Sequence, residues 1–322
     1  MITDVPGIRV GHAHDPVALT GVTVVLCDRP AVCGVDRRGP AADVVGLDHL
    51  DPGHLVTVVD AVVLGGGSRF GEEAVYGVMR WLEEQGRGFA VGKTVVPHVA
   101  GAFLFDLNVG DYRVRPTREM GYEAASRAAA GAVAEGNVGA GTGATVGKLF
   151  GLPRAMRGGL GTASLRLGDV VVGALLAVNA VGDVRDPETG RLVAGARDSA
   201  DGRALVDSAA AMRAGREPGR FGGGGTHTTI GVVATNARLT KAEATRVAGL
   251  AMLGFARALS PPHTTNDGDT LLALSVGDAV IEPTRLGDAA AEVVARAIVR
   301  GVRTASPLPG LPAVRDLEGG SG

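Results

Sequence analysis

A run of glycines leads straight into hydroxyl residues at the start of an apolar stretch. Gly222-Gly223-Gly224-Gly225-Thr226-His227-Thr228-Thr229 precedes Ile230–Thr235. One reading is a loop joining two halves, with Thr228 and Thr229 as ordinary strand formers. The other is self-processing. A threonine hydroxyl attacks the preceding carbonyl, the peptide passes through an ester, and hydrolysis frees a new N-terminal threonine. That residue carries a nucleophile and its own α-amine, whose ordinary pKa of about 7.7–8.0 suits a general base at neutral pH.

Asp267 and Asp269 lie 39 and 41 residues further on, in Asn266-Asp267-Gly268-Asp269. They read either as a carboxylate-rich turn or as a pair that would hold a new ammonium and orient the hydroxyl beside it. Two carboxylates there would raise the amine pKa, so a second cation or a bound proton is needed to offset one of them. Lys148 lies in the glycine-dense loop 136–151, after the last glycines of GATVG, and by itself reads as a surface lysine. Asn179 ends an apolar run, where a buried Asn usually satisfies a backbone turn. His12 and His14 form a possible metal pair, but no third ligand has suitable spacing, so no metal is expected.

The elements that would position these groups are legible in outline. VTVVL at 22–26 and the run 54–67 read as strands, and Gly65-Gly66-Gly67-Ser68 turns the chain into a helix ending near Gly86. This strand–loop–helix is reminiscent of a phosphate site, yet it lacks both GxGxxG and GxxxxGK[ST]. Ser68, Arg69 and Phe70 read as either helix-capping or pocket-lining residues. An alanine-rich helix is expected over 122–135, then a hairpin of Thr162–Leu167 and Val170–Asn179. Residues 183–226 read as exposed, partly mobile loop with one short helix near 205–214. A strand runs to Asn236, and a helix over 240–259 starts with a capping box, Thr240 and Glu243. The stretch 270–278 reads as a strand, 288–305 as a final helix, and the tail from Pro307 as frayed.

Composition narrows the class. The 322 residues are 45% hydrophobic and 20% charged, which excludes disorder over most of the length. A net charge of −2 and 3% aromatics argue against nucleic acid as a partner. Cys27 and Cys33 make neither a disulfide framework nor a four-ligand zinc site. The first residues show no basic stretch followed by an apolar one, so no signal peptide, no membrane association and a cytoplasmic setting are expected. Lysine is scarce: Lys93, Lys148 and Lys241 are the three among 32 basic residues. That suits either a coding bias toward arginine or a chain that hides surface in an oligomer.

Several segments, taken in order, carry a resemblance. ITDVPGIRVGHA, VVLGGGSRFG, FDLNVGD, GNVGAGTGATVGK, GGLGTASL and THTTIGVVATNARL resemble one family from about Ile2 to Thr304. It comprises L-aminopeptidase/D-esterases, β-peptidyl aminopeptidases and nylon-oligomer (6-aminohexanoate-oligomer) hydrolases. The resemblance implies an α+β fold, a four-layer αββα sandwich like that of N-terminal-nucleophile hydrolases but with different strand connectivity. It implies a single compact domain, 1–322, self-cleaved between His227 and Thr228 into 1–227 and 228–322. A homo-oligomer is implied, a tetramer of such pairs.

Matching positions make Thr228 the nucleophile, with Thr229 the one-off alternative. They make Lys148 a catalytic lysine and Asn179 a side-chain donor to the oxyanion. Asp267 and Asp269 match the nylon-hydrolase branch, where both are Asp; the aminopeptidase branch has Ser and Glu. His227 stands where the family often has Asn or Gly. The implied activity is hydrolysis of short linear amides (ω-amino-acid oligomers, amino-terminal peptides or β-peptides) with no cofactor. An acyltransferase or pantetheine-type amidase on the same scaffold, or an uncleaved binding homologue, are the alternatives.

Overall fold

An 18-residue strand makes two layers out of one sheet. The computed structural model describes residues 1–217 and 227–318. In it β1 (Ile8–Asp15), β2 (Thr20–Arg37), β3 (Asp43–Val45), β4 (Val58–Gly65), β5 (Val99–Phe103), β6 (Gly159–Leu167), β7 (Val170–Val178), β8 (Ile230–Ala237) and β9 (Thr270–Ala279) join in the order 6-7-8-9-2-4-5-3, with β1 added on β2. β8 with β9 and β4 with β5 are the parallel pairs of this sheet.

Early in β2, Val22, Val24 and Leu26 face the helices α1 (Glu73–Glu84) and α2 (Arg118–Ser126). Its pairing with β4 is interrupted between Leu26 and Ala31. Past that break β2 pairs with β9, and Val32 packs under α3 (Lys241–Ala251) and α4 (Pro283–Arg303). Val25, Cys27, Ala31 and Cys33 line the core between the two strand layers. Three apolar cores thus separate helices, strands, strands and helices, the αββα arrangement the resemblance implies. β7 is buried along its whole length, as a near-continuous apolar run predicts for a strand covered on both faces.

Local chemistry sets the helix ends. Thr240 and Glu243 form the expected capping box. The helix that follows breaks at Met252 and resumes over Leu253–Ala258. α4 starts five residues before the alanine-rich pattern does, because Pro283 takes the first helical position and the Glu282 carboxylate accepts from the Thr284 and Arg285 N–H groups. α2 covers 118–126 rather than 122–135. Beyond it Ala129 exchanges backbone hydrogen bonds with Val10, a strand contact that overrides alanine's helix preference.

Residues 183–217 differ from the exposed loop expected; 218–226 lie outside the described residues. Strands Asp183–Arg185 and Leu192–Ala194 pair, and a helix covers Ser208–Arg213. The organiser is Asp183, fully buried, whose carboxylate accepts from Ala196 N (2.9 Å), Ser208 N (2.7 Å) and Ser208 Oγ (2.8 Å). Asp183→Ala leaves three buried donors unpaired, so a loss on the order of 3 kcal/mol is expected in denaturant unfolding. A change below about 0.5 kcal/mol would contradict this role. The tail also packs instead of fraying: Leu311, Ala313 and Val314 are buried, and Arg157 N–H donates to Pro312 O at 2.9 Å. Among the described residues no helix is long and apolar enough to cross a membrane.

Candidate active site

The ends of three neighbouring strands converge at one place. β7 and β8 are antiparallel with Ala177 opposite Ile230. Continuing that register by two residues sets Asn179 opposite Thr228, and Thr228 N–H donates to Asn179 O at 3.1 Å. β8 and β9 are parallel with Ile230 beside Thr270, and His227 bridges Asp267 in the same register. The turn before β9 therefore lies against the residues before β8.

Lys148, Asn179, His227, Thr228, Asp267 and Asp269 are brought together, and all six are buried. Lys148 Nζ donates to Asn179 Oδ1 at 2.8 Å and to Asn179 O at 3.1 Å. Lys148 and Thr228 thus share one carbonyl oxygen. Asn179 Oδ1 also accepts from Thr145 N at 3.0 Å, and its Nδ2 donates to Phe105 O at 3.0 Å. Thr228 Oγ1 donates to the His227 carbonyl oxygen at 2.5 Å. Asp269 Oδ1 accepts from Thr229 N at 2.8 Å. Asp267 Oδ2 accepts from Thr264 N at 2.8 Å and from the Thr264 hydroxyl.

Charge is concentrated here among buried side chains. Burial lowers the Lys148 pKa to about 7, while Asp267, Asp269 and Asp106 hold it up. Burial, and then the neighbouring Asp269, push the Asp267 carboxyl well above the usual carboxylate range. The His227 imidazole is depressed far below its ordinary range by burial and by Lys148, and its buried Nδ1 has no partner. A lysine whose pKa lies near 7 can take or give a proton near pH 7.

Two further side chains belong to the site and were not singled out from the sequence. Asp106, in the run FDLNVGD, accepts from Thr20 Oγ1 and Gly67 N, both at 2.8 Å, and burial raises its pKa to about 6. The loop that looked like a phosphate cradle thus turns an amide onto its own carboxylate. A Cβ on Gly66 would lie 2.0 Å from Asp106 Oδ2. His263 holds Asp269 Oδ2 through its backbone N at 3.1 Å and Nδ1 at 2.9 Å. Its place just ahead of the two aspartates was the available signal.

The remaining candidates have local partners of their own. Ser68 Oγ donates to Asp43 Oδ2 at 2.8 Å, Arg69 pairs with Glu72 at 3.3 Å, and exposed Phe70 lies under Arg115. His12 Nδ1 bonds Thr23 Oγ1 at 2.9 Å, and burial lowers its pKa to about 4.

The model of peptidase family S58 matches residues 1–314. An uncharacterized aminopeptidase of Mycobacterium tuberculosis is 43% identical, the match covering 98% of this chain and 97% of the relative. A 6-aminohexanoate-oligomer endohydrolase of Kocuria sp. is 32% identical, over 92% of this chain and 81% of its own. Among solved structures, the L-aminopeptidase D-Ala-esterase/amidase of Ochrobactrum anthropi, described as a variant of the Ntn hydrolase fold, superposes with a TM-score of 0.72. It is 21% identical, with 98% of this chain and 91% of that chain covered.

Proposed function

This chain belongs to peptidase family S58 and is a hydrolase of amide bonds, and we propose that it matures by cutting itself between His227 and Thr228 and then acts through Thr228. The observation that carries the proposal is the Thr228 hydroxyl lying 2.5 Å from the carbonyl oxygen of the peptide it would cut, in a buried site. Before cleavage Thr228 has no free amine, so another base must take its proton. Lys148 is suited: as a neutral amine it donates two N–H groups to the two Asn179 oxygens and keeps a lone pair. Once protonated, it stabilises the oxyanion. After cleavage the new α-amine of Thr228 serves as base, with Asp267 and Asp269 holding that end of the chain. Water then releases the acyl group from the Thr228 ester.

The pieces 1–227 and 228–322 stay joined on this reading, because β8 pairs along β7 while α4 packs on the same layer. Short linear amides are the proposed substrates. The paired aspartates and Lys148 favour ω-amino-acid oligomers, in keeping with the name of the Kocuria relative. Release of free amine from a 6-aminohexanoate oligomer, a β-peptide and an α-peptide amide tests this. Turnover of none of the three by cleaved protein would remove the substrate reading.

Asn179→Ala separates chemistry from binding. The Asn179 Nδ2 that donates to Phe105 O in the uncut chain is proposed to turn to the oxyanion during turnover, and its loss is expected to lower kcat by about 10²–10³. A change confined to KM would make Asn179 a binding residue instead.

A further inference from the structure

The hydrogen bonds around the His227–Thr228 peptide single out a residue with no side chain. The His227 carbonyl oxygen accepts from Gly268 N–H at 2.9 Å, in addition to the Thr228 hydroxyl. The parallel register of β8 and β9, continued back by two residues, sets Thr228 beside Gly268. Bonds on either side fix the donor. Thr270 N–H donates to Thr229 O at 3.1 Å, Asp267 N–H to Thr264 O at 3.0 Å, and Thr229 N–H to Asp269 Oδ1 at 2.8 Å. The Asn179 side-chain amide meanwhile donates to Phe105 O. In the uncut chain, the amide aimed at the scissile carbonyl is therefore a backbone one.

We infer that Gly268 N–H is the oxyanion donor of the self-cleavage step; this rests on the self-cleavage reading above. A bond forms from Thr228 Oγ1 to the His227 carbonyl carbon, and the hydroxyl proton passes to Lys148. The carbonyl π pair moves onto the oxygen, where Gly268 N–H meets the new charge. Collapse restores the C=O and breaks the C–N bond, and the Thr228 nitrogen takes the proton back from Lys148. The resulting ester reacts with water to give a His227 carboxylate and a Thr228 ammonium. Preorganised donors of this kind act on developing charge without reorganising.

The lack of a side chain at 268 serves the same step. A Cβ there would lie 2.7 Å from Thr228 Oγ1 and 2.5 Å from Ala41 O. It would crowd the nucleophile from the side on which the donor sits. The constraint is one of space, since Gly268 is not among the residues with positive φ.

Glycolic acid introduced at 268 of the full chain replaces the N–H by an ester oxygen and preserves shape. Alkaline scission at the new ester confirms its incorporation. Cleavage of His227–Thr228, followed by intact mass, is expected to slow by about 10²–10³-fold with an unchanged thermal melt. Cleavage at the parent rate would overturn the inference. Should the ester chain not fold, the uncut Thr228→Ala chain labelled with 13C at the His227 carbonyl and 15N at Gly268 provides the second test. A scalar coupling across the hydrogen bond is expected between the two nuclei, and its absence would overturn the inference. A parent chain that is never cut would overturn the self-cleavage reading, and this inference with it.

Discussion

Thr228→Ala is expected to leave a full-length, uncut and inactive chain. The substitution removes the hydroxyl but keeps the N–H that donates to Asn179 O, so the strand end stays in place. Thr229, one residue on, directs its backbone N–H to Asp269, and its Oγ1 accepts from Asn179 N at 3.3 Å. Removing the nucleophile of a hydroxyl-dependent hydrolase lowers kcat by about 10⁶-fold, and maturation, which uses the same atom, should stop altogether. Thr229→Ala is the control. If it arrests cleavage while Thr228→Ala does not, the nucleophile has been placed one residue too early.

Lys148→Met comes next in size. The methionine keeps the volume of the buried stem and removes the amine. Both maturation and turnover should fall by about 10²–10⁴-fold, the scale for losing a positioned general base. The pH profile distinguishes this from a packing defect. Burial lowers the Lys148 pKa to about 7, and the base is the neutral amine. Below pH 7 the amine is mostly protonated, so parent cleavage should speed up about tenfold per pH unit and level off above pH 7. Lys148→Met should lose that rise. A parent rate that falls as pH increases, or a variant retaining the same profile, would remove Lys148 from the proton transfer.

How much of this was legible depended on whether the signal was a side chain or a pairing. Thr228, Asn179, Asp267 and Asp269 each border an apolar run, so their places at strand ends followed from the pattern of neighbours. Their convergence did not, because it depends on the register of β7, β8 and β9, whose partners are distant in sequence. Asp106 was not singled out, because the Thr20 and Gly67 donors that it binds come to it only through the fold. The Gly268 N–H has no sequence signature at all. Residues 183–217 look polar and turn-rich, yet one buried carboxylate, Asp183, ties three donors together and folds them inward. Lysine scarcity was similarly two-sided: Lys148 and Lys241 are both buried, and Lys241 donates to three backbone carbonyls, at His49, Asp51 and Val56.

The most direct test of the central claim is the intact mass of the purified parent protein, together with N-terminal sequencing of its smaller fragment. Two fragments of about 23 and 9.5 kDa are expected, in proportion to residue number, with the smaller beginning Thr-Thr-Ile. A single full-length species that hydrolyses amides after prolonged incubation would contradict the account.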